Sequence, residues 1–171
     1  MKILKSDITK LKVDAIVNAA NNSLRGGGGV DGAIHKAAGS ELLVECIGLK
    51  GCKTGEAKIT KAYNLPCKYV IHTVGPVWSG GENKEDHLLK NCYRNSLKIA
   101  VVNNIKSIAF SAISTGVYGF PIERACRIAV EESSVFLKTS SQELDIIFVC
   151  FNDNVYNSYQ KVFMEKNLIK E

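Results

Sequence analysis

The chain has 171 residues, which fits one domain and leaves little room for a second. Apolar residues make up 46% and charged residues 23%, near the average for globular domains, so disordered, collagen-like and low-complexity classes are excluded. Lys plus Arg number 22 against 17 Asp plus Glu; the formal net charge of +5 favours an anionic ligand without identifying it.

The longest apolar run, Ile146 to Phe151, is far below the roughly 20 residues a membrane helix needs. Lys2, Lys5, Lys10 and Lys12 have no apolar segment behind them, so the N-terminus does not read as a secretory signal and a cytoplasmic protein is expected. Cys46, Cys52, Cys67, Cys92, Cys126 and Cys150 form no Cys-x-x-Cys pair and suit reduced core thiols. The three histidines lack zinc-site spacing, and no metal or other cofactor is expected.

In chain order, residues 13–18 (VDAIVN) read as a short strand that runs into a glycine-rich loop, Ala19 to Gly29. A helix is expected from Asp31 to Gly39, and Ser40 is placed to cap a second one. Residues 56–61 alternate weakly, and Tyr69 to Val74 reads as an interior strand ended by Gly75-Pro76. After the loop 79–84, Leu88, Leu89, Cys92, Tyr93, Ser96, Leu97, Ala100 and Val101 mark an amphipathic helix. Ser107 to Ile113 is the next strand, and Pro121 is placed as the first residue of a further helix. Leu144 to Phe151 forms a last buried strand before a helix carrying Tyr156, Tyr159 and Phe163. Alternating strands and helices imply a layered α/β domain.

Ligands of open α/β sheets bind outside the carboxyl ends of strands, where two loops carry suitable groups. Gly26, Gly27, Gly28 and Gly29 lack side chains, so their N–H groups can approach a phosphate, and the following helix adds the positive end of its dipole. Ser114, Thr115, Gly116 and Gly119 repeat that arrangement before Pro121. Both segments also read as plain turns, but four consecutive glycines cost backbone entropy that a mere connection need not spend. Gly27, Gly29 and Gly32 fit G-x-G-x-x-G, yet eight residues separate Asn18 from Gly27, whereas a dinucleotide fingerprint turns directly off its strand. Lys53-Thr54 fails the P-loop pattern, whose glycines would fall at Ile47 and Cys52.

Asp31, taken alone, is either a first-turn capping carboxylate or a group that orients or deprotonates a water beside a bound phosphate. Asn18, Asn21 and Asn22 carry amides able to bond sugar hydroxyls, although asparagine also favours turns. His35 and His72 read as packed or hydrogen-bonded residues with no part in chemistry.

The segments 6–9 (SDIT), 13–39 (VDAIVNAANNSLRGGGGVDGAIHKAAG), 54–60 (TGEAKIT), 69–78 (YVIHTVGPVW), 79–97 (SGGENKEDHLLKNCYRNSL) and 113–121 (ISTGVYGFP) resemble the macro domain family, in its MacroD-type branch. The resemblance spans nearly the whole chain and implies a single macro domain over 1–171, a three-layer α/β/α sandwich with a mixed six-stranded sheet. It implies an ADP-ribose site on the crest formed by the loops. By position, Asp7 would accept from the adenine amino group, Ile8 would lie beside it and Phe151 would pack on the ring. Gly26, Gly27, Gly28, Gly29 and Val30, with Ser114, Thr115, Gly116, Val117 and Tyr118, would hold the diphosphate. Asn21 and Asp31 would address the distal ribose as catalytic residues, with Tyr118 on its face, Phe120 in support and Asn18 among the binding residues. Members of this branch release ADP-ribose from mono-ADP-ribosylated acidic side chains and from O-acetyl-ADP-ribose, so these esters and modified proteins are the expected partners. Ser6 stands where the family motif has glycine.

Competing readings are a module that binds ADP-ribose without cleaving it, a nicotinamide-dependent oxidoreductase and a nucleic-acid binder. Retention of Asn21 and Asp31 argues against the first. The long Asn18–Gly27 loop argues against the second, and the lack of a basic stripe interleaved with aromatics argues against the third. With no linker or appended module visible, a monomer is expected.

Overall fold

The structure is a computed structural model and describes residues 1–169. Its strands are β1 (Lys2–Lys5), β2 (Ala15–Ala19), β3 (Ala57–Lys61), β4 (Tyr69–Thr73), β5 (Ser107–Phe110) and β6 (Asp145–Cys150). Its helices are α1 (Gly29–Ala38), α2 (Ser40–Gly48), α3 (Glu85–Val102), α4 (Ile122–Thr139) and α5 (Asp153–Glu165), with a 3-10 turn at Ile8–Lys10. The strands form one sheet in the order β1-β6-β5-β2-β4-β3. All neighbours pair in parallel except β3, which runs antiparallel to β4.

Side chains alternate between the two faces of a strand, and the core divides accordingly. Ile16, Val70, Ala109, Ile147 and Val149 meet Ile34 and Ala38 of α1 and Leu42 and Cys46 of α2. Ala15, Val17, Ile71, Ile108, Phe110 and Phe148 meet α3, α4 and α5 on the other face. There Phe148 stacks on Tyr159 with ring centroids 4.8 Å apart, and Tyr93 lies 5.0 Å from Phe110. The fold is the expected three-layer sandwich with a mixed six-stranded sheet.

Several local expectations shift. Strand β1 was not anticipated: its Lys2 and Lys5 are exposed while Ile3 and Leu4 are half-buried, the pattern of a charged edge strand. Helix α1 begins at Gly29, two residues before Asp31. Ser40 lies inside α2 and caps nothing, because Gly39 holds the N-cap position. Pro121 is likewise the N-cap of α4 rather than its first residue. The β5 ladder stops at Phe110, and residues 111–113 already belong to the loop that follows. All six cysteines are free and buried. Among the described residues no helix is long and apolar enough to cross a membrane.

Candidate active site

Because β1, β6, β5, β2 and β4 are mutually parallel, their carboxyl ends share one edge of the sheet, and the loops leaving them form a crest. Strand order sets the order of side chains along it. Asp7 follows β1, Phe151 follows β6, the 114–121 segment follows β5, and Asn21 with the glycine loop follows β2. Residues far apart in sequence thereby come into line.

At the β1 end, the Asp7 carboxylate accepts hydrogen bonds from Thr9 N (3.0 Å) and Thr9 Oγ1 (2.7 Å), which hold its pKa below the ordinary carboxylate value. Ile8, the next residue, is buried in the core on the α1 and α2 face. Phe151, just past β6, is 87% exposed, an unpartnered aromatic face beside Asp7 in the strand order.

The 114–121 segment is a tight, internally bonded loop. Phe120 N donates to Ser114 O (2.9 Å), Gly119 N to Gly116 O (3.0 Å), and Trp78 N to Tyr118 O (2.8 Å). Phe120 is buried against Trp78, with centroids 4.8 Å apart, which ties this loop to the one after β4. Ser114 adopts φ 64°, the left-handed region that disfavours side chains, and its buried Oγ has no hydrogen-bond partner among the described residues. Val117 is fully exposed at the tip.

The glycine loop closes onto α1. Gly28 is the N-cap and offers no side chain to the first-turn N–H groups, and a Cβ at Gly28 or Gly29 would meet nothing. Those amides, at the positive end of the helix dipole, are accessible to an anion. Asn21 Nδ2 donates to Gly26 O (2.8 Å), and Ser23 Oγ donates to Asn21 Oδ1 (2.7 Å), fixing the amide. Asp31, in the first turn of α1, is buried. A Cβ on Gly27 would lie 3.2 Å from Asp31 Oδ2 and 3.3 Å from Asn21 Nδ2, so carboxylate and amide converge on the bare face of that glycine.

Asp31 is not a capping group. Its Oδ1 accepts from Asn18 Nδ2 (2.8 Å) and lies 3.4 Å from His35 Nε2, which leaves Oδ2 as the oxygen on the Gly27 side. Asn18 is corrected accordingly: it is wholly buried, with its amide engaged by Asp31, and has no surface to offer a substrate. Asn22 is tied to Cys52 O (3.0 Å) and Thr54 Oγ1 (3.3 Å), away from the crest carboxylate. His72 is buried and hydrogen-bonded, and His35 is packed beside Asp31 without a side-chain hydrogen bond among the described residues, so both belong to the surroundings of Asp31. That connection depends on strand pairing and on the helix seated over it, neither of which a local motif discloses.

The macro domain family model matches residues 17–129. The chain belongs to the macro domain family. This macro domain is 54% identical over 168 residues to the O-acetyl-ADP-ribose deacetylase of Escherichia fergusonii, covering 96% of this chain and 95% of that protein. It is 54% identical over 169 residues to the ADP-ribose glycohydrolase MACROD2 of Mus musculus, covering 96% of this chain and 35% of that longer protein. A mutant Oceanobacillus iheyensis macrodomain solved with ADPR superposes with a TM-score of 0.91 at 42% identity, covering 98% of this chain and 93% of that one.

Proposed function

We propose that the chain acts as one macro domain that binds ADP-ribose along its crest and hydrolyses esters at the distal ribose. The observation that carries this reading is the convergence of Asp31 Oδ2 and Asn21 Nδ2 on the bare face of Gly27, directly before the open amides of α1. The strand order supports it. An extended ligand laid from β1 to β2 would meet adenine-binding, diphosphate-binding and ribose-binding groups in the chemical order of ADP-ribose. The deacetylase and glycohydrolase names of two relatives, and the ADPR in the superposed structure, support it further.

In this reading Asp7 accepts from the adenine amino group beside Ile8, and Phe151 covers the ring. The amides of Gly26 to Val30 and the Ser114–Tyr118 loop hold the diphosphate. Tyr118 lies against the distal ribose, supported by Phe120, and Asn21 orients the sugar. A water held between Asp31 Oδ2 and a ligand phosphate oxygen attacks the ester, giving up its proton to one of these two acceptors. The ester bond breaks, the ribose oxygen takes a proton, and ADP-ribose and a carboxylic acid leave. Both O-acetyl-ADP-ribose and ADP-ribosylated Asp or Glu side chains present this ester. One copy of the chain suffices, since the crest is assembled within it.

The test is ADP-ribose release from O-acetyl-ADP-ribose and from a glutamate-ADP-ribosylated protein, by mass spectrometry, with ADP-ribose binding recorded alongside. Wild-type release that Asp31→Ala loses while still binding supports the hydrolase. Binding without wild-type release identifies a non-catalytic reader instead.

A further inference from the structure

Asn18 on β2 and His72 on β4 are register partners, and both are wholly buried. Alternation places both toward α1 and α2, the face that also takes Ile16 and Val70. Asn18 Nδ2 donates to two acceptors at once: Asp31 Oδ1 at 2.8 Å and His72 Nδ1 at 3.2 Å. Both amide hydrogens are thereby engaged, while Asn18 Oδ1 has no partner among the described residues. A bare Nδ1 requires the ring proton on Nε2, and Nε2 lies 2.9 Å from Thr60 Oγ1 and 3.7 Å from Cys46 Sγ. Burial, with the nearby His35, pushes the His72 pKa down to about 3, so the ring stays neutral.

We propose that His72 is a positioning residue for the reaction, holding the Asn18 amide in the one orientation that presents donors to Asp31. The inference rests on the reading of Asp31 given above. If Asn18 turned its amide over, its oxygen would face the carboxylate. The neutral ring blocks this by accepting the second amide hydrogen, and in that tautomer Nε2 donates to Thr60 Oγ1. Asp31 Oδ1 is then pinned, and Oδ2 keeps its place on the Gly27 side of the crest. His72 itself is wholly buried behind Asn18 and Asp31 and has no surface on the crest, so its influence falls on turnover and not on ADP-ribose affinity.

The experiment compares His72→Asn, which keeps an oxygen acceptor where Nδ1 lies, with His72→Gln, whose polar end reaches the Nε2 position, and with His72→Leu. Thermal melting, ADP-ribose binding, and kcat and KM on O-acetyl-ADP-ribose are measured for each. The expected result is a kcat about tenfold or more lower for the Leu and Gln variants at unchanged KM and ADP-ribose affinity, with most of the turnover restored in His72→Asn. Equal kcat in all three variants, or a kcat that merely tracks melting temperature, overturns the proposal. Long-range nitrogen–proton spectra of the wild type decide the tautomer independently of turnover: a proton on Nε2 supports the relay, and a proton on Nδ1 overturns it. If the wild type binds ADP-ribose but releases none, the hydrolase reading falls, and the tautomer alone still decides whether His72 holds Asn18.

Discussion

Gly32 packs directly on the backbone carbonyl of Gly27: a Cβ added at Gly32 would sit 2.5 Å from that oxygen. The contact joins the first turn of α1 to the loop on which Asn21 and Asp31 converge. Gly32→Ala therefore has to displace the loop, because a helix backbone held by Ile34 and Ala38 in the core yields less readily. The expected outcome is a loss of about 1–3 kcal/mol of stability, typical of overpacking, together with a drop in ADP-ribose release larger than that loss explains. Chemical denaturation beside steady-state turnover checks it. Unchanged turnover in Gly32→Ala would mean that the loop tolerates the shift.

Phe151 offers a second test, at the other end of the crest. With the ring 87% exposed, Phe151→Ala removes no core packing and should leave the melting temperature unchanged. Stacking of a base on an aromatic ring is worth about 1–3 kcal/mol, so ADP-ribose affinity should fall about tenfold to a hundredfold. Ribose-5-phosphate, which has no adenine, should bind wild type and variant equally. Calorimetric titration of both ligands separates adenine stacking from a general disturbance, and equal weakening of the two would rule out the stacking role.

Most of the fold was legible because its signals are local. VDAIVN and YVIHTV announce buried strands, and Leu89, Cys92, Tyr93 and Leu97 mark the buried side of α3. Strand β1 escaped because an edge strand with two exposed lysines carries too short an apolar pattern to stand out. The glycine loop and the Asp31 helix behind it were legible in the sequence, and the resemblance to macro domains supplied the ligand proposed for them. Asn18 was assigned to the wrong side of the site, since an asparagine at a strand end reads the same whether it faces solvent or a neighbouring strand. Only the β2–β4 register, which pairs Asn18 with His72 across 54 residues of sequence, reveals that it works from behind Asp31.

Glu85 illustrates a structural element that motif reading passed over entirely. It is buried at the start of α3, and its carboxylate accepts from the backbone N–H groups of Ser79 (3.1 Å), Gly81 (2.7 Å) and Asn83 (2.5 Å). Burial alone would raise its pKa, but these donors outweigh it and hold the pKa below the ordinary 4.5. A depressed native pKa stabilises the fold fully above pH 4.5, and the contribution is lost as pH falls through the native value. Glu85→Gln should therefore be less stable than wild type at neutral pH, and the gap should close in acid. Faster hydrogen exchange of residues 79–83 in the variant at pH 7 is the accompanying sign. A gap of the same size at pH 7 and pH 3.5 would contradict the carboxylate's role.

His72 gives the last pH prediction, with a different origin. Its native pKa of about 3 lies far below the ordinary 6.5, mainly because burial penalises the charged ring. Above pH 6.5 the ring is neutral in both native and unfolded chains and contributes no pH dependence. Between 6.5 and 3 the unfolded chain takes up a proton that the native one refuses, so stability falls as the medium acidifies. The slope approaches 1.4 kcal/mol per pH unit for one proton, about 2 kcal/mol between pH 7 and pH 5. The groups facing the ring are Asn18 from β2, His35 from α1, Thr60 from β3, and Cys46 from α2, whose thiol burial pushes up to about 11, with Asp31 of α1 reached through Asn18. These are common to wild type and His72→Asn, as are all other titrating groups, so the difference between the two proteins isolates the imidazole. Denaturant unfolding at pH 7 and pH 5 should show the wild type losing about 2 kcal/mol more than His72→Asn. An equal loss in both would mean that water reaches the ring and that His72 is protonated inside the fold.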